Sequence, residues 1–307
     1  MPIRVILAGM RRERIVWISL ATALIVLVAY LDWRLTQAPT SSGPLINFGI
    51  SFEPALPSPD DLNPTWPAIS PNGKTLALAA NGADKRRLLW IRKLDASNAT
   101  PIAGSEDAES PFWSPDGEFV AFFAQGKLKK VAVSGGQPLI VCETVTSSGG
   151  TWNRDNDIVF ATGKPALARV SSTGGTPVEL ERWNDAYRLS YPRSLPTGRQ
   201  LLFDMESSVA PHLGGWYISI GPGQRRKLLD NALLVQYIDP GYLLVLKTGG
   251  RLTAQKYDLA SFTGFGQTKL LGEGIAGFSV SDDGVVAYRT SGPAPRFGVL
   301  VNWLAGS

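Results

Sequence analysis

The sequence predicts an all-β chain of six equal repeats, set behind one apolar helix. Three observations carry this. A turn of the type Ser-Pro-Asp-Gly recurs six times, with its second positions at Pro71, Pro115, Arg154, Pro196, Pro240 and Asp282, at spacings of 44, 39, 42, 44 and 42 residues. Short apolar runs bounded by Gly, Pro, Asn and Asp fill the space between turns, and no run after residue 44 keeps a helical period. Ahead of them, Ile15 to Leu31 carries no charge.

The apolar run comes first in the chain. At about 1.5 Å per residue its helix is roughly 26 Å long, slightly short of a ~30 Å hydrocarbon layer. Arg14 and Arg34 flank it, and Trp17, Tyr30 and Trp33 stand near its ends, where amphipathic rings prefer the interface. Residues 15–33 therefore read as a single-pass anchor in the lipid bilayer. Arg4, Arg11, Arg12 and Arg14 precede it, which places the basic tail 1–14 in the cytoplasm and the rest in the periplasm or exterior. A cleaved signal peptide is the competing reading, but the small-residue exit Thr36-Gln37-Ala38 runs into Pro39. Residues 34–44 are small, polar and proline-bearing, as a tether is.

The repeat follows. In each copy an apolar strand enters the turn and a second leaves it, as in Glu118-Phe-Val-Ala-Phe122 after Trp113-Ser-Pro-Asp-Gly117. A third strand follows, for example Leu128 to Val133 or Ala166 to Val170, then a glycine turn such as Ser134-Gly-Gly136, then a fourth strand such as Pro138 to Cys142. Four strands per repeat of this length is a propeller blade. The last copy ends one strand short, while Leu45 to Ile50 is a spare strand at the other end of the domain. The expectation is a six-bladed β-propeller over residues 45–307, closed by strand 45–50 as the outer strand of the last blade, which removes an exposed edge.

With the repeats in place, Pro67-Ala-Ile-Ser-Pro-Asn-Gly-Lys-Thr-Leu-Ala77, Phe112-Trp-Ser-Pro-Asp-Gly117 and Ser279-Val-Ser-Asp-Asp-Gly284 resemble TolB-type, WD-repeat-like propellers. Gly126-Lys-Leu-Lys-Lys130, Ser134-Gly-Gly-Gln-Pro138, Gly149-Gly-Thr-Trp-Asn-Arg-Asp155 and Pro240-Gly-Tyr-Leu-Leu244 look closest to the extracytoplasmic propeller of bacterial transmembrane serine/threonine protein kinases. The chain has no nucleotide loop, HRD loop or DFG segment, so kinase activity does not carry over. What the resemblance implies is the sensing or protein-contact role of the outer propeller.

Composition narrows the chemistry. One cysteine, Cys142, excludes an internal disulfide or a thiolate cluster, and one histidine, His212, excludes sites needing two imidazoles. His212 lies in a turn-rich loop with no GxSxG elbow in the chain, so no nucleophilic triad is expected. Asp116, Asp155, Asp282 and Asp283 fall in the repeat turns, where Asp bonds its own backbone, while Asp60-Asp61 lies in an irregular segment. No cofactor is expected. Of the net charge of +4, residues 1–34 supply +3, and residues 35–307 hold 25 basic and 24 acidic residues. The basic character belongs to the membrane-orienting tail, and nucleic acid is not an expected partner.

Binding is what remains. The innermost strands should be Thr65 to Ile69, Glu109 to Trp113, Gly149 to Trp152, Tyr191 to Ser194, Val235 to Ile238 and Gly277 to Val280. Their polar and aromatic members, Glu109, Trp152, Tyr191, Arg193, Gln236 and Tyr237, are the candidate site at the channel mouth, for an unidentified protein or small ligand. Trp113 reads as blade packing, and Trp152 is balanced between packing and binding. Arg193 stands out because an unpaired arginine in a packed strand is costly. The expected function is a non-catalytic interaction, scaffolding or sensor module. The alternative is a channel-site enzyme of the lactonase kind, with carboxylates holding a divalent cation.

Overall fold

The structure, a computed structural model, describes residues 46–50, 66–82, 84–144, 148–196, 200–207, 215–221, 224–292 and 296–304. The anchor at 15–33, the tether, Asp60-Asp61 and His212 lie outside the described residues. Among the described residues no helix is long and apolar enough to cross a membrane.

Six antiparallel sheets of four strands make up the domain. Five take their strands in chain order from the inside out. Their innermost strands are Ala68–Ile69, Glu109–Trp113, Gly150–Trp152, Tyr187–Ser194 and Ala232–Ile238. The sixth starts from Ile275–Val280 and is composite: its outer strand is Ile46–Ile50, paired with Phe297–Val301 from Ile46 opposite Val301 to Ile50 opposite Phe297. The described residues form an all-β, six-bladed propeller. Its first described strand and its last complete one blade between them.

The turn chemistry explains the repeat. Ser70 Oγ donates to Asn72 Oδ1 and accepts from the Thr75 backbone N–H at 2.9 Å. In the second blade Ser114 Oγ donates to Asp116 Oδ1, and Asp116 accepts from the Glu118 N–H at 2.9 Å. Each turn carries its own hydrogen bonds, so a short polar segment reverses the chain without help from the rest of the fold. Gly73, Gly117 and Gly284 close three of these turns at positive φ, which glycine adopts without strain.

The core lies between neighbouring blades. Trp113 packs with Ala68, Leu89 and Phe122 between the first two blades and donates its indole N–H to the Ala68 carbonyl at 2.8 Å. Phe112, Trp152, Ile158 and Phe160 fill the next interface; Trp183, Leu189 and Phe203 fill the one after. Ile50, Ile69, Trp90 and Val299 join the last blade to the first. Strands with apolar residues on both faces, such as Phe119–Ala124, are therefore the middle strands of blades packed on either side.

Two sequence readings shift. The first inner strand is Ala68–Ile69, and of the expected Thr65–Ile69 the described Trp66 and Pro67 stay outside it, since Pro67 has no N–H to give a ladder and restrains Trp66 before it. In the fifth blade the turn runs from Ile238 to Gly241, with the Gly241 N–H bonded to the Ile238 carbonyl at 3.0 Å. The second turn position is thus Asp239, not Pro240.

Candidate functional site

The inner strands of all six blades border one cavity of about 920 Å³, which identifies it as the central channel. At one end its rim is the ring of second turn positions: Pro71, Pro115, Arg154, Pro196, Asp239 and Asp282. Three prolines make this rim stiff and apolar. A single cation on the third blade stands opposite two neighbouring carboxylates on the fifth and sixth. The Asp282 carboxyl is pushed up by its protein surroundings and by Asp283 and Asp239, with Arg154 acting against them.

The other end is governed by a layer of equivalent residues, each four positions before the first residue of its rim turn. Counting back from the turns, these are Trp66, Ser110, Gly149, Tyr191, Leu234 and Gly277. Trp66 and Tyr191 belong to opposite blades, and their ring centroids are 4.4 Å apart. The pair forms an aromatic bar across the channel. Both rings have a glycine beside them in the same layer. A Cβ on Gly277 would collide with the Trp66 indole, and one on Gly149 would lie 3.0 Å from Tyr191 Cδ1. Tyr191 sits at φ 50° in a bulge between Ser190 and Arg193, and the Tyr191 N–H bonds the Ser148 carbonyl at 2.8 Å. A non-glycine residue in that region costs on the order of 1–3 kcal/mol and persists where its surroundings fix it; here the bulge turns the ring into the channel.

The bar is shared with a second cavity of about 890 Å³ on its far side, lined by Arg188, Asp204, Glu206 and Asp230 among others. Burial pushes the Asp204 carboxyl up to about 6, while a 3.2 Å hydrogen bond from Ser190 Oγ works the other way.

Two residues above the aromatic layer lies a layer that joins blades. Thr151 Oγ1 accepts from the Ser194 N–H at 3.2 Å, Gln236 Oε1 from the Val280 N–H at 2.9 Å, and Ser279 Oγ from the Ile69 N–H at 2.8 Å. In each case a polar side chain on one blade satisfies the backbone of the next. Arg193 occupies the same layer on the fourth blade. Having only donors, it cannot do this; it reaches back instead, its Nη1 donating to the Gly150 carbonyl at 3.3 Å. Burial lowers its pKa to about 10, and the one influence acting the other way is Tyr191.

The six expected site residues thus divide. Tyr191, Arg193 and Tyr237 line the channel. Tyr237 is half-buried, and its phenol is pushed up by burial and by Asp239 and Asp258. Gln236 also borders the channel but is spent on the bond to Val280. Trp152 also borders the channel, while most of it is buried in the interblade core, its indole N–H bonds Asn156 Oδ1 at 3.1 Å, and Lys130 lies over its ring. Glu109 begins its strand away from the channel cavities. Trp66, Arg154, Asp239 and Asp282 join the site unforeseen, although aligning the six copies residue by residue would have placed all four on the channel.

No protein-family profile matches the chain, and neither does any curated protein. Many solved structures do. A TolB protein of Agrobacterium tumefaciens superposes with a TM-score of 0.53 at 17% identity, over 68% of this chain and 80% of that one. TolB of Acinetobacter baumannii gives 0.54 at 15%, over 77% and 63%. The fold is TolB-like. The same architecture also serves chemistry elsewhere: an oligogalacturonate lyase in complex with manganese superposes with a TM-score of 0.50 at 15% identity, over 81% of this chain and 73% of that one. Likeness at these identities concerns the fold and not the activity.

Proposed function

We propose that this chain is a non-catalytic binding propeller that engages a protein or small ligand at its channel mouth. The observation that carries the reading is the ring of turn residues around the cavity, where Arg154 faces Asp239 and Asp282 across a proline-stiffened rim above Tyr237. Pre-placed charges of both signs around a concave, partly apolar site suit recognition with defined orientation. Among the described residues no three acid, imidazole or thiol side chains are grouped to hold a metal ion. The test is affinity capture with the full-length protein, wild type against Arg154→Glu, both first shown to melt alike. Partners held by the wild type and lost by the variant support the reading; partners held equally by both remove the mouth from it.

The same reading includes tethering to the bacterial inner membrane through residues 15–33, with the propeller in the periplasm or exterior, in a sensing role of the kind the kinase-borne propellers suggest. Its support is the uncharged run and the arginines ahead of it. A reporter active only outside the cytoplasm, fused after Ser307, is expected to be active; activity of a cytoplasmic reporter alone reverses the orientation.

A second reading, a channel-site enzyme, is favoured by one observation: Asp239 and Asp282 are neighbours on the rim, and the fold is shared with a manganese-bound lyase. Under it, manganese raises the melting temperature of the wild type and not of Asp282→Asn. Under the binding reading neither responds.

A further inference from the structure

Three buried donors on the channel wall have no acceptor: Trp66 Nε1, Arg193 Nε and Ser194 Oγ. Each leaves a hydrogen bond unmade on a residue that borders the channel, and each such omission is costly in a folded protein. Two of them can only donate, the Ser194 hydroxyl can donate as well as accept, and one belongs to a charged group. Arg193 is also the odd member of its layer. Thr151, Gln236 and Ser279 use that position to accept a backbone N–H from the next blade, whereas Arg193 donates back to the Gly150 carbonyl and leaves its Nε unpaired. No acid acts on its guanidinium among the described residues, although acids are present at both ends of the channel. A guanidinium held by one carbonyl, with a buried N–H left unpaired, is stabilised by an anion that completes it.

We infer that the channel binds its ligand through a carboxylate placed on Arg193, with the remaining free donors of the wall turned to the same group or its neighbours. The planar guanidinium matches a carboxylate in a way no other anion-binding side chain does. The rest of the wall sets the ligand's body. The rings of Trp66, Tyr191 and Tyr237, with Pro67 and Pro111 also on the wall, favour a flat, apolar group. The ligand class is therefore an aromatic or otherwise planar carboxylate, free or as an end of a larger partner. This deepens the binding reading above and rests on it.

The test uses the full-length protein in detergent, with benzoate as the probe, benzamide as its neutral counterpart and inorganic phosphate as a third arm, at matched ionic strength. Benzoate is expected to raise the melting temperature saturably, benzamide not. In Arg193→Gln, which keeps a donor for the Gly150 carbonyl, the half-saturating concentration should rise by on the order of tenfold or more, the loss expected for a charged hydrogen bond. If that variant does not fold, Trp66→Phe decides: it keeps the ring beside Tyr191, removes one donor and should weaken benzoate several-fold. Equal responses to benzoate and benzamide overturn the proposal, as does an unchanged benzoate response in the folded variants. So does a response to phosphate with none to benzoate, or no response to any of the three. The two readings fail separately. Loss of the benzoate effect with Arg154-dependent capture intact leaves binding at the mouth standing, whereas a benzoate effect without such capture moves recognition from the rim into the channel.

Discussion

A cation with no acid beside it and an acid held away from water give this channel its electrical character. The second is the easier to measure. Asp204 titrates near 6 in the folded protein against 3.8 for the ordinary group. A raised carboxyl pKa means that the charged form is disfavoured in the fold. Stability is therefore unaffected below pH 3.8, falls as pH rises from there to about 6, and stays lowered above. The loss is on the order of 2–3 kcal/mol at neutral pH. Asp204→Asn should raise the melting temperature at neutral pH and flatten its dependence on pH between those limits, with little change at the acid end. Melting curves of the two proteins across pH check this; parallel curves contradict it. Gly277 offers a steric counterpart. Gly277→Ala should displace the Trp66 indole and cost about 1–3 kcal/mol by overpacking, read in urea unfolding. Cys142 should be inert to thiol reagents in the native state, because burial first and Glu143 second push its thiol up to about 11.

At the scale of elements, the closing strand differs from the rest. Ile46–Ile50 is exposed along most of its length and buries only Ile50 against the blade interface. Its chief contribution is to pair the edge of Phe297–Val301, with Tyr288 Oη donating to Asn47 Oδ1 at 2.8 Å beside it. Deleting residues 45–50 should therefore lower the melting temperature by less than a core truncation such as Phe122→Ala, at about 3–5 kcal/mol, yet promote association by baring a strand edge. Light scattering and melting curves of the two variants separate these effects; a deletion that stays monodisperse contradicts the second. The blades themselves were legible because their signals are local. Ser, Asn and Asp at the turns bond their own backbone, and Gly closes them, so the spacing of these residues reports the spacing of blades. Trp66 and Pro67 look like strand residues in the sequence for the same reason, because an apolar run resembles a strand although Pro67 has no N–H for the ladder.

At the scale of the molecule, the ring is closed by side chains that cross from blade to blade. Ser279 holds the Ile69 N–H, Gln236 the Val280 N–H, Thr151 the Ser194 N–H, and the Trp216 indole donates to the Ala232 carbonyl at 3.1 Å. A ring held at every interface should open as a unit. Thermal unfolding of the propeller should show one transition, with Cys142 becoming reactive as secondary structure is lost; labelling well below that transition would mean that the second blade opens alone.

The sequence by itself determined the number of blades, their strand order from inside to out and the closing strand, since turn chemistry and apolar alternation act over a few residues. It also singled out Tyr191, Arg193 and Tyr237 as channel residues, by their type in tight inner strands. Only the tertiary structure decided what each does. Trp152 and Gln236 border the channel, but Trp152 also packs the interblade core and Gln236 joins the ring of interblade bonds. Trp66 met Tyr191 across the axis between two glycines, and Asp239 joined Asp282 on the rim. These assignments depend on which residues face one another once six blades close, and residues in opposite blades have no local relation in the chain through which the sequence can express that contact.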